Sequence, residues 1–201
     1  AAAAPAPAAS ASAPAFAAAA AVIWDVDGTL ADSTQLGFTS TNAVLVEAGL
    51  GGISLQQYEQ GTVYPTPQRL AWHATGDTAS ACGVELGAAF DRHYIALVSL
   101  TTAGFFPGIR EVVTALAARG TPQGVLSNAC GDYARAVVAV NGVGMHMLRV
   151  AGADEVPAVK PAPDGLLAQC TAMGWDPKRC VYVGDAPSDG AAAAAAGMMS
   201  V

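Results

Sequence analysis

The sequence predicts an α/β fold, a doubly wound parallel sheet carrying an inserted all-helical segment, on three observations. Short apolar runs stop at polar residues near Trp24, Leu126 and Val183. From Pro107 onward strand-like and helix-like stretches alternate, as a parallel sheet with helical crossovers requires. Between about Asp32 and Gly104 the strands cease and the apolar spacing becomes helical.

Residues 1–20 contain only Ala, Pro, Ser and one Phe16, so they cannot bury enough surface to fold alone and read as a low-complexity tail. Pro5, Pro7, Pro14 and the serines also rule out a membrane span there. An uncharged Ala/Ser/Pro stretch without an initiating Met suggests the remainder of a longer precursor, with a chloroplast or mitochondrial transit peptide removed; without that leader the expected location is cytoplasmic.

Ala20 to Trp24 reads as a buried strand that ends at Asp25-Val26-Asp27-Gly28-Thr29. Residues two apart on a strand share a face, so Asp25 and Asp27 can converge on one ligand, and Gly28 turns the chain away. The helical stretch then holds Thr39 to Gly49, Pro67 to Thr75 and Glu85 to Leu100. The alternating part follows as helix Ile109 to Arg119, strand Thr121 to Leu126, helix Gly131 to Val140 and a strand near Met147 to Val150. Helix Asp164 to Met173, strand Cys180 to Val183 and helix Pro187 to Ala196 complete it, and a last strand begins after Gly197.

Three further segments sit just after apolar runs. Ser127-Asn128 supplies a hydroxyl and an amide, Lys160-Pro161-Ala162-Pro163 a cation before a proline-marked helix start, and Gly184-Asp185-Ala186-Pro187-Ser188-Asp189 two more carboxylates. Each also has a purely structural reading. Asp185 and Asp189 suit a helix N-terminus, Ser127 and Asn128 suit a turn, and Lys160 a solvated surface. In this order and spacing the DxDGT, SN, KPxP and GDxxxD segments resemble the haloacid dehalogenase-like (HAD) hydrolase superfamily, most closely its phosphoglycolate phosphatase-like branch, from Val22 to Val201.

That resemblance implies a Rossmann-like core of residues 21–34 and 104–201, with a helical C1 cap over 35–103 hinged near Asp32-Ser33 and Gly104-Phe105. It implies a Mg²⁺-dependent phosphatase in which Asp25 attacks phosphorus to form an aspartyl-phosphate and Asp27 serves as acid and base. The Asp25 carboxylate, the Asp27 carbonyl and Asp185 hold the metal, with Asp189 beside them, while Ser127, Asn128 and Lys160 hold the phosphoryl oxygens. The chemistry agrees: an anionic nucleophile meeting a phosphate dianion needs a divalent cation and a lysine to cancel charge. Asp27 favours phosphate esters over haloacids, and a cap without lysine excludes a Schiff-base phosphonatase. A sugar-phosphate mutase shares all four motifs.

Within the cap the cations are Arg69, His73, Arg92 and His93. Arg69 and His73 lie four apart and share a helix face that either meets a substrate carboxylate or, the preferred reading, is simply solvated around a partly buried histidine. Trp72 is expected to pack on the core, and Met145, Met147, Met198 and Met199 to fill space. The net charge of −7 with nine basic residues leaves no basic stripe for nucleic acid or anionic lipid. Four cysteines without metal-site spacing read as reduced thiols. The six alanines at 191–196 suggest a tight helix–sheet contact.

The substrate class expected is a small phosphorylated metabolite. A second expectation is of a different kind, a HAD-fold subunit kept in a larger assembly for its surface. The family usually continues past Val201, so a protein partner is expected to cover the C-terminal edge and to hold the N-terminal tail.

Overall fold

A computed structural model describes residues 19–201. The expectations for the tail and for a partner on it fall largely outside those residues. Five parallel strands form one sheet in the order β3-β2-β1-β4-β5, where β1 is Ala21–Trp24, β2 Gln123–Leu126, β3 Arg149–Ala151, β4 Cys180–Val183 and β5 Met199–Ser200. The chain runs outward from β1 through β2 to β3, then crosses to the other side for β4 and β5. The reversal falls between β1 and β4, and the crevice at the carboxyl ends of those two strands is where open α/β sheets bind ligands.

Alternation along β1 builds the two faces of the core. Val22 and Trp24 pack with Val113 of α5 (Ile109–Ala118) and with Tyr133, Ala134 and Val137 of α6 (Gly131–Val140). Ala21 and Ile23 face the other way, toward Leu166 and Cys170 of α7 (Asp164–Met173) and Ala192, Ala193 and Ala196 of α8 (Pro187–Ala196). The alanine run therefore does make a close helix–sheet contact, through three of its six residues. One polar pair crosses the apolar layer: the Trp24 indole donates to Gln123 Oε1 at 3.1 Å, and Gln123 Nε2 donates to the Val113 carbonyl at 2.9 Å. Both residues are buried, so each of these groups depends on the other for its partner.

Between β1 and α5 lie four helices, α1 (Thr34–Glu47), α2 (Leu55–Gly61), α3 (Thr66–Thr75) and α4 (Cys82–Ala96). α1 starts five residues before the expected Thr39. Gly37 sits inside it because a side chain there would collide with the Tyr58 hydroxyl, whose oxygen is 2.0 Å from where a Cβ would stand. α2 was not expected, although Ser54 and Gln57 cap its start reciprocally, with Ser54 N–H donating to Gln57 Oε1 at 2.8 Å. α4 runs three to four residues earlier than expected at both ends, stopping at Ala96 where the polar Ser99-Thr101-Thr102 turn begins. β3 begins at Arg149 rather than Met147, because a 3₁₀ turn over Gly144–His146 occupies the preceding residues.

The two connections to this helical insert run side by side. Asp32 N–H donates to the Gly104 carbonyl at 3.1 Å, and Phe106 N–H to the Leu30 carbonyl at 3.0 Å. Buried Asn141 fastens the return, donating to the Ala103 carbonyl at 2.9 Å and accepting from Phe105 N–H at 3.0 Å. Some packing expectations need correcting. Trp72 lies against Tyr64 and His73 within the insert rather than on the sheet. Met145 is 85 % exposed, whereas Met147 and Met198 are buried as expected.

Candidate active site

β1 delivers Asp25 to the carboxyl edge of the sheet in a fixed pose, because Asp25 N–H continues the ladder by donating to the Val183 carbonyl at 2.9 Å. The side chain is buried beneath Lys160, whose Nζ lies 2.8 Å from Asp25 Oδ1 and 2.7 Å from Asp189 Oδ1. Lys160 Nζ also donates to the Tyr182 hydroxyl at 2.7 Å, and that hydroxyl donates to the Leu126 carbonyl at 3.1 Å. The lysine is thus held by groups from three elements and is 5 % exposed, not a solvated surface charge. Burial pushes the Asp25 carboxyl up to about 7, Lys160 opposes that rise, and the neighbouring Asp189 adds to it.

The other residues expected at the site fall around this pair. Asp185, two residues past β4, accepts from Thr29 Oγ1 at 2.8 Å. It rests against Gly28, which has φ +82° and where a Cβ would lie 2.4 Å from Asp185 Oδ2. Only glycine suits that turn on both grounds. Asp25, Asp185 and Asp189 each bring one carboxylate oxygen into a group spanning no more than 4.8 Å. Asp189 also accepts from Ala186 N–H at 2.9 Å, so it caps α8 as its structural reading required and joins the cluster as well.

Ser127 is buried, and its Oγ accepts from Ala129 N–H at 3.0 Å in a tight turn. The Asn128 amide faces the main chain of Lys160: Nδ2 donates to its carbonyl at 2.9 Å and Oδ1 accepts from its N–H at 3.0 Å. Asn128 therefore sets the position of the lysine segment, and its side chain is engaged there rather than left free for a ligand.

Asp27 stands apart from the cluster. Its Oδ1 accepts from Ser33 Oγ at 2.5 Å, Tyr94 Oη at 2.8 Å and Tyr133 Oη at 2.6 Å. Tyr94 comes from α4 of the insert and Tyr133 from α6 of the core, and their rings stack at 3.8 Å between centroids. These two tyrosines, with Ser33, Thr29 and Tyr182, are the site neighbours that the sequence reading did not single out. Thr29 closes the DxDGT segment and Ser33 follows four residues later, whereas the tyrosines carry no local signal.

Arg69 departs from the solvated reading. Its guanidinium carbon lies 4.6 Å from the centre of the Phe90 ring and 5.4 Å from that of Tyr58, with Nε and Nη2 buried. His73 is half-buried as expected, and desolvation aided by Arg69 lowers it to about 4.

The donor set is all oxygen, three carboxylates face one ammonium, and the surplus of negative charge fits a hard divalent cation. Among the described residues no helix is long and apolar enough to cross a membrane. The profile of the haloacid dehalogenase-like hydrolases matches residues 22–201. Phosphoglycolate phosphatase of Xylella fastidiosa is 33% identical over 180 residues, covering 90% of this chain and 78% of that protein. Phosphoglycolate phosphatase of Rhodospirillum rubrum is 32% identical over 188 residues, covering 89% and 76%. Among solved structures, CbbY from Rhodobacter sphaeroides in complex with phosphate superposes with a TM-score of 0.78 at 20% identity, covering 90% of this chain and 84% of that one. A HAD-superfamily hydrolase of subfamily IA from Geobacter sulfurreducens gives 0.71 at 24%, covering 91% and 88%. With its motifs gathered at the carboxyl edge of a parallel sheet, and with a match over nearly its whole described length, the chain belongs to the haloacid dehalogenase-like hydrolase family.

Proposed function

We propose that this protein is a phosphatase acting on a small phosphate monoester, of the 2-phosphoglycolate or sugar-phosphate kind, through an aspartyl-phosphate on Asp25. One observation carries the reading: a buried carboxylate at the end of the central strand, in contact with a buried lysine and within 4.8 Å of two further carboxylates. The names of the relatives support the ester class.

In this reading Asp25 attacks phosphorus while Lys160 offsets charge on the phosphoryl oxygens, with Ser127 beside them. The ester P–O bond breaks, and the departing alkoxide takes a proton from Asp27. Asp27 then accepts a proton from the water that cleaves the acyl-phosphate. Asp25, the Asp27 carbonyl and Asp185 would hold Mg²⁺, with Asp189 next to them, and the ion supplies charge neutralisation as attacking and leaving oxygens line up. Such an ion would also favour the ionised form of Asp25, whose carboxyl burial pushes up to about 7 against the opposing Lys160. The insert of α1 to α4 serves as a cap that excludes water during transfer. The organelle address remains a proposal from the composition of residues 1–20, tested by localising a fluorescent fusion.

Phosphate release from a panel of small esters that includes 2-phosphoglycolate, measured with Mg²⁺ or EDTA in the wild type and in Asp25→Asn, tests the reading. Metal-dependent turnover that disappears in the variant supports it. A folded protein without turnover on any ester turns the assignment to an accessory subunit of a larger assembly.

A further inference from the structure

Three hydroxyl donors on one carboxylate oxygen exceed its two in-plane lone pairs, and all three choose Asp27 Oδ1. Oδ2 takes part in no hydrogen bond among the described residues. Two of the donors come from separate parts of the fold, Tyr94 near the end of α4 and Tyr133 in the first turns of α6, and both rings are buried. Stacking at 3.8 Å with 17° between the ring planes makes them one rigid element. Phe90 backs Tyr94 at 4.7 Å, so the hydroxyl cannot swing away without the insert shifting.

We propose that Tyr94 and Tyr133 are positioning residues for Asp27: they fix Oδ1 so that Oδ2 faces the ester oxygen, and they make correct docking of the insert a condition for a correctly aimed acid. This rests on the phosphatase reading, in which Asp27 protonates the leaving group. The tyrosines touch neither the phosphoryl group nor the leaving oxygen in this scheme. Their effect is geometric, and a displacement of about 1 Å in such a group costs up to about 10²-fold in rate.

Leaving-group dependence separates this role from a structural one. An alkyl phosphate needs the proton, whereas p-nitrophenyl phosphate releases a stable phenolate without one. The experiment compares kcat/KM for the best alkyl ester of the panel with that for p-nitrophenyl phosphate in the wild type, Tyr94→Phe, Tyr133→Phe, the double variant and Ser33→Ala. Phenylalanine keeps the stack and removes only the hydroxyl. Because donors are in excess, each single variant is expected to lose about 3- to 10-fold on the alkyl ester and the double variant about 10²-fold, with p-nitrophenyl phosphate within about 3-fold of wild type.

Equal losses on both esters, or an unchanged ratio in a folded double variant, overturn the proposal. If the double variant does not fold, Tyr94→Phe and Ser33→Ala decide by the same ratio, since Ser33 lies outside the stack. A wild type inactive on both esters is a different failure: it removes the phosphatase reading, and the positioning role falls with it.

Discussion

Lys160 Nζ sits 2.8 Å from Asp25 Oδ1, and both groups are buried, so the ammonium is the one cation set directly against the proposed nucleophile among the described residues. The same nitrogen also holds Asp189 at 2.7 Å. Removing it leaves two buried carboxylates facing each other, and breaking a buried pair in this way costs roughly 3–5 kcal/mol. Lys160→Met is therefore expected to lower the melting temperature of the metal-free protein and to cut turnover by at least about 10²-fold. Calorimetry and phosphate release check both, and a variant as stable as wild type refutes the argument.

The raised Asp25 carboxyl predicts a pH dependence of stability. In the folded protein it titrates at about 7 against an ordinary value of 3.8, so the native state holds the extra proton between those values. Stability then falls as pH rises through the window from about 4 to 7. Without metal, the Asp25 contribution is expected to destabilise by several degrees across this range, and Asp25→Asn to flatten the slope. Added Mg²⁺ is expected to raise the melting temperature most at the upper end. Thermal melts at stepped pH, with and without Mg²⁺, measure it.

Gly28 and Asp185 share one space. A methyl group at Gly28 would lie 2.4 Å from Asp185 Oδ2, in a residue at φ +82° that L side chains adopt with strain. Gly28→Ala is expected to displace the Asp185 carboxylate and raise the Mg²⁺ concentration for half-maximal activity by about tenfold or more, in line with the effect of disturbing metal-site geometry. A magnesium titration of turnover gives the answer, and an unchanged midpoint would count against Asp185 as a ligand.

Gln123 tests the fold rather than the site. Replacing it by leucine strands the Trp24 indole N–H, whose acceptor is Gln123 Oε1, and removes the second donor on the Val113 carbonyl. Each buried unsatisfied group costs about 1–3 kcal/mol. Gln123→Leu is expected to lower the melting temperature by several degrees while leaving the Mg²⁺ midpoint of turnover where it was.

The sequence carried the sheet well because β1, β2 and β4 are apolar runs ended by chemistry-bearing residues, and a strand that stops at Asp25, Ser127 or Gly184 has a local signature. The start of α1 was hidden by Gly37, a residue that normally argues against a helix and is there to clear Tyr58. α2 did have a local signal in its Ser54 and Gln57 cap. Asp25, Lys160, Asp185 and Asp189 were legible as a set through their motifs. The hydroxyl cage on Asp27 was not, since its tyrosines arrive from 67 and 106 residues away and their positions depend on how helices pack. Asn128 was read from its motif as a holder of phosphoryl oxygens, whereas its amide is engaged by the main chain of Lys160, a long-range pairing with no local signature.

The strand order has a consequence in time. β1 is laid down early, yet its two neighbours in the sheet are β2 and β4, and Val22 finds its β4 partner only at Val181. During synthesis the Asp25 strand therefore waits with one edge bare until residues 180–183 have emerged, since such long-range parallel pairing is slow and late. Lys160 and Asp189 arrive on either side of that last closure. Assembly of the Asp25 cluster and pairing of the second β1 edge thus coincide, and a ribosome-bound intermediate stopped before Cys180 would hold Asp25 as an ordinary, water-exposed acid.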